Sequence, residues 1–482
     1  MMDAANARQP LTDFLDAPVQ RHTLGLVYGR RRIGKSTLLH ELVSARGGFY
    51  WEATRGEPAI HLARLGEALG GHLGVGKLSF ETWEDAVSRL LRLGADGVTP
   101  VALDEFGYLL EGEPRLDSVI AAAIGPAGQK AAPGRGRLVL CGSAIAMMRA
   151  LTAGEAPLRG RAGLELVMQP FDYRQIALLL ELKQDLALTA RIFAVIGGVV
   201  GYATDMVNYD LPDGPDDFPR WVAARVLSPA ATLHHEAATL LAEDPTLSSA
   251  SPTLHHSILG AIANGAITAG SIGNQLRRPV SNLAPSLNRL VAAGFVLRHE
   301  DPVRARRPTY ALADPFLQFH YAILEPHGAL LRDRNPVELW RHRLSTTFDA
   351  RVRGPVFEEQ ARSWVRKYAC NDTIGASPDY VGPSSASIEG REYELDVLVA
   401  ADDGAGEPSG RRVIAIGEAK AGEKITARHL RHLEQARAGL GPRAAVAKLL
   451  LFGTEFDVEV GRAARDRHDV ELVDLARLYH GE

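Results

Sequence analysis

Gly29-Arg30-Arg31-Arg32-Ile33-Gly34-Lys35-Ser36 spells G-x-x-x-x-G-K-S, and its flanks constrain the fold more than its letters do. Leu24-Gly25-Leu26-Val27-Tyr28 before it reads as a buried strand. Thr37-Leu38-Leu39-His40-Glu41-Leu42-Val43 after it reads as a helix with an apolar stripe. A strand that turns through glycines into a helix N-terminus makes an anion site. Backbone N–H groups point into the loop, and the helix dipole adds partial positive charge. The backbone from Gly29 to Thr37 would wrap the phosphates of a nucleoside triphosphate. Lys35 would reach the β- and γ-phosphates, and the Ser36 hydroxyl would ligate Mg²⁺.

A nucleotide hydrolase also needs an acidic site. Val101-Ala102-Leu103-Asp104-Glu105-Phe106 reads as a short buried strand ending in two carboxylates. Two adjacent acids at the end of an apolar strand are costly unless they bind or react. Asp104 would hold Mg²⁺ opposite Ser36, and Glu105 would activate the attacking water. Arg137-Leu138-Val139-Leu140-Cys141-Gly142-Ser143 is a further strand, and Ser143 at its end is a candidate γ-phosphate contact. Strand-end turn chemistry explains a serine there equally well. Arg159 and Arg161, in Pro157-Leu158-Arg159-Gly160-Arg161, are candidates for touching a γ-phosphate, either in cis or from a neighbouring copy in a homo-oligomer.

Length sets the frame for these motifs. A chain of 482 residues exceeds one ordinary core, so two to four domains are expected. Hydrophobic content of 46% and charged content of 23% are those of a globular protein. The net charge of −4 gives no global drive toward nucleic acid, so any DNA contact must come from a local basic face. Two cysteines, Cys141 and Cys370, are too few for a disulfide framework. No apolar run reaches transmembrane length, and residues 1–10 lack the apolar stretch of a signal peptide. A cytoplasmic protein with ATP and Mg²⁺ as cofactors and no membrane partner is expected.

Taken in order, Tyr28-Gly29-Arg30-Arg31-Arg32-Ile33-Gly34-Lys35-Ser36, Leu103-Asp104-Glu105-Phe106, Gly142-Ser143, Pro157-Leu158-Arg159-Gly160-Arg161 and Gln169-Pro170-Phe171 resemble the archaeal-type ATPases. That family is related to the origin-recognition and STAND branches of the AAA-like P-loop ATPases. The likeness spans roughly residues 10 to 250. The basic run inside the loop is the more specific part of it. Where the family usually shows tyrosine-glycine-arginine, this chain has Arg159-Gly160-Arg161, so Arg161 matches the pattern and Arg159 departs from it. Gly197-Gly198-Val199-Val200-Gly201-Tyr202 is similar to the family's glycine turn in a helical lid.

The middle of the chain carries helical and then mixed patterns. Ile176 to Leu180 and Ile192 to Ile196 carry apolar stripes expected in lid helices, with a loop at Leu211 to Asp216. His255 to Ala263, Thr268 to Leu276 (with Thr268 as N-cap) and Ser281 to Ala292 read as three helices. Pro285 predicts a third helix that starts somewhat after Ser281. Residues 295–298 and 308–312 follow as two strands, which completes a winged helix-turn-helix. Ser281, Asn282, Ser286, Asn288 and Arg289 are expected on the exposed side of the third helix, where it would read DNA. Arg277, Arg278, Arg304, Arg306 and Arg307 would supply phosphate contacts. Winged helices also mediate protein contacts. The aromatics of Asp314 to Tyr321 are expected as core packing.

A second chemistry is written near the C-terminus. Gly354-Pro355 is read as a break that opens a helix carrying Glu358 and Glu359. Tyr393 to Val399 alternates as a strand, Gly404, Gly406, Pro408 and Gly410 mark a hairpin turn, and Val413 to Lys420 returns. Residues two apart on a strand share a face, so Glu418 and Lys420 project together, and Asp396 would meet them across the pair. Two acids and a lysine on a sheet suit Mg²⁺, which prefers hard oxygen ligands. The pattern resembles the PD-(D/E)XK nuclease superfamily and the domain that commonly accompanies archaeal-type ATPases, over roughly residues 345 to 460. The resemblance implies Glu358 as the helix acid (with Glu359 as the alternative), Asp396 and Glu418 as metal ligands, and Lys420 as the lysine of the E-x-K pair. A salt-bridged surface hairpin is the competing reading. His429 and His432 are expected as exposed helix residues.

The expected architecture is an α/β multidomain chain. It comprises a P-loop ATPase core (1–171), a helical lid (172–250), a winged helix-turn-helix (251–315), a helical connector (316–344) and a restriction-endonuclease-like domain (345–482). The expected function is an ATP-driven switch that docks DNA and cleaves it with Mg²⁺. The alternative is a STAND-like regulatory ATPase whose nuclease-like fold is an inactive binding module.

Overall fold

The computed structural model describes residues 2–93, 99–131, 133–182, 185–248, 251–303, 307–388, 390–402 and 411–482. Arg304, Arg306 and the expected hairpin turn at 403–410 lie outside the described residues. The chain divides into two compact units. One holds residues 1–171, 199–201 and 244–250; the other holds 172–198, 202–243 and 251–482.

In the first unit, β2 (Thr23–Tyr28), β4 (Pro100–Asp104) and β5 (Arg137–Gly142) are apolar except at the end residues Thr23, Asp104 and Arg137, and are buried on both faces from Leu24 onward. Strands of that composition belong inside a parallel sheet covered by helices. With β1 (Met2–Asp3), β3 (Phe49–Glu52) and β6 (Ala162–Gln169) they form a six-stranded sheet in the order β1-β6-β2-β5-β4-β3, and every pair is parallel. Its core joins Leu26, Leu103 and Leu140 to Leu65, Leu69, Val87 and Leu90 on the covering helices. Helix α1 (Lys35–Ser44) leaves the C-terminal end of β2. Because β5 lies between β2 and β4, its C-terminal end separates the glycine loop from the acidic strand end. Crevices at the carboxyl ends of such strands are where open α/β sheets bind ligands.

The second unit begins with α2 (Tyr173–Leu179), capped by Asp172, whose side chain accepts from the Arg174 and Gln175 N–H groups. Three helices follow further on: α3 (Pro252–Ala263), α4 (Ala269–Leu276) and α5 (Val280–Ala292). Thr268 caps α4, and its hydroxyl accepts from the Ser271 N–H at 3.1 Å. Strands β7 (Val296–His299) and β8 (Thr309–Leu312) pair antiparallel. Two expectations need correcting here. Helix α5 starts at Val280, directly after Pro279, and carries Pro285 in its interior. The carbonyl that Pro285 leaves without a partner belongs to exposed Ser281, where water can reach it. Ser286 is not on the exposed side: it is 4% exposed and shares the buried face with Leu283, Leu287 and Leu290. Ser281, Asn282, Asn288 and Arg289 are exposed, as are Arg277, Arg278 and Arg307.

Phe316, Phe319 and Tyr321 are fully buried, and Phe319 lies against the rings of Trp340 and Phe348. The expected break at Gly354-Pro355 is absent. Helical backbone runs from Pro336 through α6 (Gly354–Lys367) without interruption, with wider π-type turns at Trp340–Leu344 and Asp349–Arg353. A π-turn just before Pro355 changes the local hydrogen-bond register, so the missing proline N–H does not end the helix.

The last element group is a five-stranded mixed sheet: β9 (Tyr380–Ile388), β10 (Arg391–Ala401), β11 (Arg412–Lys420), β12 (Lys448–Gly453) and β13 (Val470–Val473), in the order β13-β12-β11-β10-β9. Strands β9, β10 and β11 run antiparallel, and β11, β12 and β13 run parallel. Helix α7 (Ala427–Gly439) buries Leu430 and Leu433 in the core of this sheet. Among the described residues, no helix is long and apolar enough to cross a membrane.

Candidate nucleotide site and a second acidic cluster

The glycine loop closes tightly at both ends. Gly34 sits at the N-cap of α1 with φ of 89°, a left-handed conformation that side chains resist. A Cβ on Gly29 would stand 2.4 Å from the Met168 carbonyl oxygen, so only glycine lets the loop press against β6. Lys35 is 4% exposed, and its ammonium donates to the Arg30 carbonyl at 2.8 Å and to Ser143 Oγ at 3.2 Å. Ser143 Oγ in turn donates to Glu105 Oε1 at 2.8 Å. A hydrogen-bonded chain, Lys35–Ser143–Glu105, therefore crosses the ends of β2, β5 and β4. Glu105 holds a left-handed φ of 49°, which turns the chain sharply from β4 into the helix Phe106–Gly112. Non-glycine residues in that region are uncommon and cluster at functional sites. The Arg32 carbonyl accepts from the Gly201 N–H at 2.9 Å. Arg30 and Ile33 are buried, Arg31, Arg32 and Ser36 are half-buried, and Thr37 is exposed on the first turn of α1.

Asp104 is fully buried. Its Oδ1 accepts from the Glu105 N–H at 2.8 Å and its Oδ2 from the Tyr50 hydroxyl at 2.6 Å. Burial pushes the Asp104 carboxyl up, but hydrogen bonds from Cys141, Ser36, Tyr50 and the Glu105 N–H outweigh it and hold the group below the usual carboxylate range. Burial, then the Asp104 charge, raises the Tyr50 hydroxyl and the Cys141 thiol. Glu52, which is opposite Asp104 in the β3–β4 register, is raised by burial and by Asp104 and Glu105, while Arg31 lowers it. This donor set fits a nucleotide with a divalent cation. The buried carboxylate is balanced by neutral donors beside a serine hydroxyl, and the lysine is bonded to a carbonyl and a hydroxyl rather than to an acid. Tyr50, Glu52 and Cys141 belong to no motif in the sequence; strand order alone brings them here. Arg159 and Arg161 are exposed in the turn before β6, where they donate to the Gly154 and Pro157 carbonyls of that same turn.

The second cluster stands on the mixed sheet. Val397 lies opposite Gly417, which puts Asp396, Glu418 and Lys420 on the other face together. The β9–β10 register slips between Leu395 and Leu398, so Asp396 sits at a bulge, a device that re-aims a side chain. The Lys420 ammonium is 2.7 Å from Glu418 Oε1 and 3.3 Å from Asp396 Oδ2, and the Ala419 N–H donates to Asp396 Oδ2 at 2.8 Å. On α6, Glu359 is bonded to Arg362 and Arg366. Burial pushes Glu359 up, but those two arginines bring it down to about 2. Glu358 faces Asp396 and Lys420 electrostatically, and burial followed by Asp396 pushes it up to about 8. Glu358 also lies near Arg362, whose Nη1 is 3.9 Å from its Oε2. His432 is half-buried, with Nε2 3.8 Å from Glu418 Oε2 and 3.2 Å from the Glu394 carbonyl. His429 is also half-buried; its Nδ1 accepts from the Thr426 N–H at the start of α7. Neither is a fully exposed helix residue. Among the described residues, no group of three or more His, Cys, Asp or Glu is arranged to hold a metal ion.

A pH dependence follows from Glu358. Its folded carboxyl keeps a proton between the usual carboxylate range and about pH 8, whereas the unfolded chain has released it. Stability from this residue is therefore fully present below the usual carboxylate range and is lost progressively as pH rises from there to about 8. Glu358→Gln is expected to flatten that decline, read as the change in melting temperature between pH 6 and pH 8.

No protein-family model matches the chain. It is 25% identical over 312 residues to the uncharacterized protein MJECL04 of Methanocaldococcus jannaschii; the match spans 64% of this chain and 65% of that protein's length. Among solved structures, it is similar to the Walker-type ATPase paby2304 of Pyrococcus abyssi, with a TM-score of 0.48, 21% identity, and coverage of 67% of this chain and 96% of the other. It is also similar to the ORC2 protein of Aeropyrum pernix in its ADPNP-ADP complexes, with a TM-score of 0.38, 16% identity, and coverage of 68% and 92%.

Proposed function

We propose that the chain is an ATP-binding and hydrolysing switch that docks DNA. The observation that carries this reading is the Lys35–Ser143–Glu105 chain beside buried Asp104. Lys35 and the loop N–H groups from Gly29 to Thr37 would hold the phosphates, and Ser36 and Asp104 would hold Mg²⁺, which would neutralise phosphate charge. Glu105 accepts the proton of the attacking water, and Ser143 keeps its carboxylate aimed. Helices α3 to α5 with β7 and β8 follow the order of a winged helix. Arg277, Arg278 and Arg307 would meet phosphates, and Ser281, Asn282, Asn288 and Arg289 would meet base edges.

The mixed sheet with Asp396, Glu418, Lys420 and Glu358 is read as a PD-(D/E)XK-like fold that acts on a phosphodiester. Asp396 and Glu418 would hold Mg²⁺, and Lys420 would stabilise developing negative charge. A second reading, in which this fold binds without cutting, is favoured by Lys420 spanning both carboxylates.

The purified chain is expected to bind and hydrolyse ATP with Mg²⁺, and Lys35→Ala to lose both, measured by nucleotide binding and phosphate release. Wild-type phosphate release no greater than that of Lys35→Ala would overturn the proposal.

A further inference from the structure

We infer that Tyr50 is a positioning residue for the metal-holding carboxylate of the nucleotide site, an inference that rests on the nucleotide reading above. Asp104 is a fully buried acid, and its orientation decides where a cation can sit. Alongside Cys141 and Ser36, which also hydrogen-bond this carboxylate, a short, directed donor stands on each of its oxygens: the Glu105 N–H at 2.8 Å on Oδ1 and the Tyr50 hydroxyl at 2.6 Å on Oδ2. A donor on each oxygen fixes the plane of the carboxylate and leaves the remaining lone pairs pointing in a set direction. The first donor is backbone and survives any side-chain change. The second depends on one hydroxyl.

Tyr50 is also tied to the other half of the site. Its ring meets the His40 ring edge-on, with centroids 5.0 Å apart and planes at 89°. His40 is on α1, the helix that opens with Lys35-Ser36. One side chain thus links the strand pair that presents Asp104 to the helix that presents Ser36. Phenylalanine would preserve the ring contact and strand packing, so the hydroxyl is the part that packing does not explain. A buried tyrosine hydroxyl usually has a polar partner; here the partner is the acid on which the cation depends.

The test uses the full chain and a fluorescent ATP analogue, titrated with Mg²⁺ under binding conditions without turnover. Tyr50→Phe is expected to raise the Mg²⁺ concentration for half-maximal binding by about tenfold, the scale of one lost hydrogen bond to a charged group. Binding of the analogue in EDTA is expected to stay at the wild-type level. An unchanged Mg²⁺ requirement in Tyr50→Phe, with the wild type binding normally, would overturn this inference alone. A wild type that binds no nucleotide at any Mg²⁺ concentration would overturn the nucleotide reading and this inference with it.

Discussion

Glu105→Gln is expected to lower ATP turnover by roughly 10²–10⁴-fold, the usual worth of a positioned general base. The substitution changes little else. Glutamine has the same branching at Cβ, so the left-handed turn at φ 49° is under no new strain. Its amide oxygen still accepts from Ser143 Oγ, which keeps the Lys35–Ser143 contact in place. ATP affinity should therefore remain near the wild-type value, and the loss should fall on turnover. Measuring hydrolysis with and without duplex DNA extends the test. Stimulation by DNA in the wild type that vanishes in the variant ties the three-helix module to the nucleotide site. A variant that turns over within a few-fold of wild type assigns the base to another group.

Asp396→Ala is expected to abolish Mg²⁺-dependent cleavage of DNA. The loss should exceed the roughly 10–100-fold that follows removal of a group merely supporting a metal ligand. Asp396 is one of two carboxylates bridged by Lys420, and without it the ammonium keeps only the Glu418 ion pair. The change also orphans the Ala419 N–H, at a cost of about 1–3 kcal/mol, so a melting curve must accompany the assay. Asp396→Asn retains an acceptor there and separates fold from chemistry. Cleavage by wild type that persists in both variants removes Asp396 from the site. A wild type that cuts no DNA with any divalent cation leaves the mixed sheet as a binding module.

The parts of these sites that were legible in sequence are those whose local backbone dictates the residue. A left-handed N-cap demands Gly34, and a loop pressed on β6 demands Gly29. Apolar runs ending in Asp104-Glu105 or flanking Cys141 read directly as buried parallel strands. The residues that escaped are those assigned by neighbours distant in sequence. Tyr50 and Cys141 meet Asp104 because of the strand order, which no local pattern encodes. The ion pairs of Glu359 with Arg362 and Arg366, and the longer one of Glu358 with Arg362, likewise follow from the folded helix and not from the E-E dipeptide. Pro285 and Pro355 misled in opposite settings for one reason: a helix survives a missing N–H when water or a wider turn accommodates it.

The uninterrupted helical run from Pro336 to Lys367 has a mechanical consequence. At about 1.5 Å per residue its path is on the order of 45 Å long. Trp340 and Phe348 root it among the buried aromatics beside Phe319, and Glu358 and Arg362 project from its far half at the acidic cluster. A flexible tether at Gly354 would have let those two ends drift independently. Unbroken helical backbone ties them together instead, so a displacement imposed at the aromatic end is passed along the helix toward the carboxylates at the other.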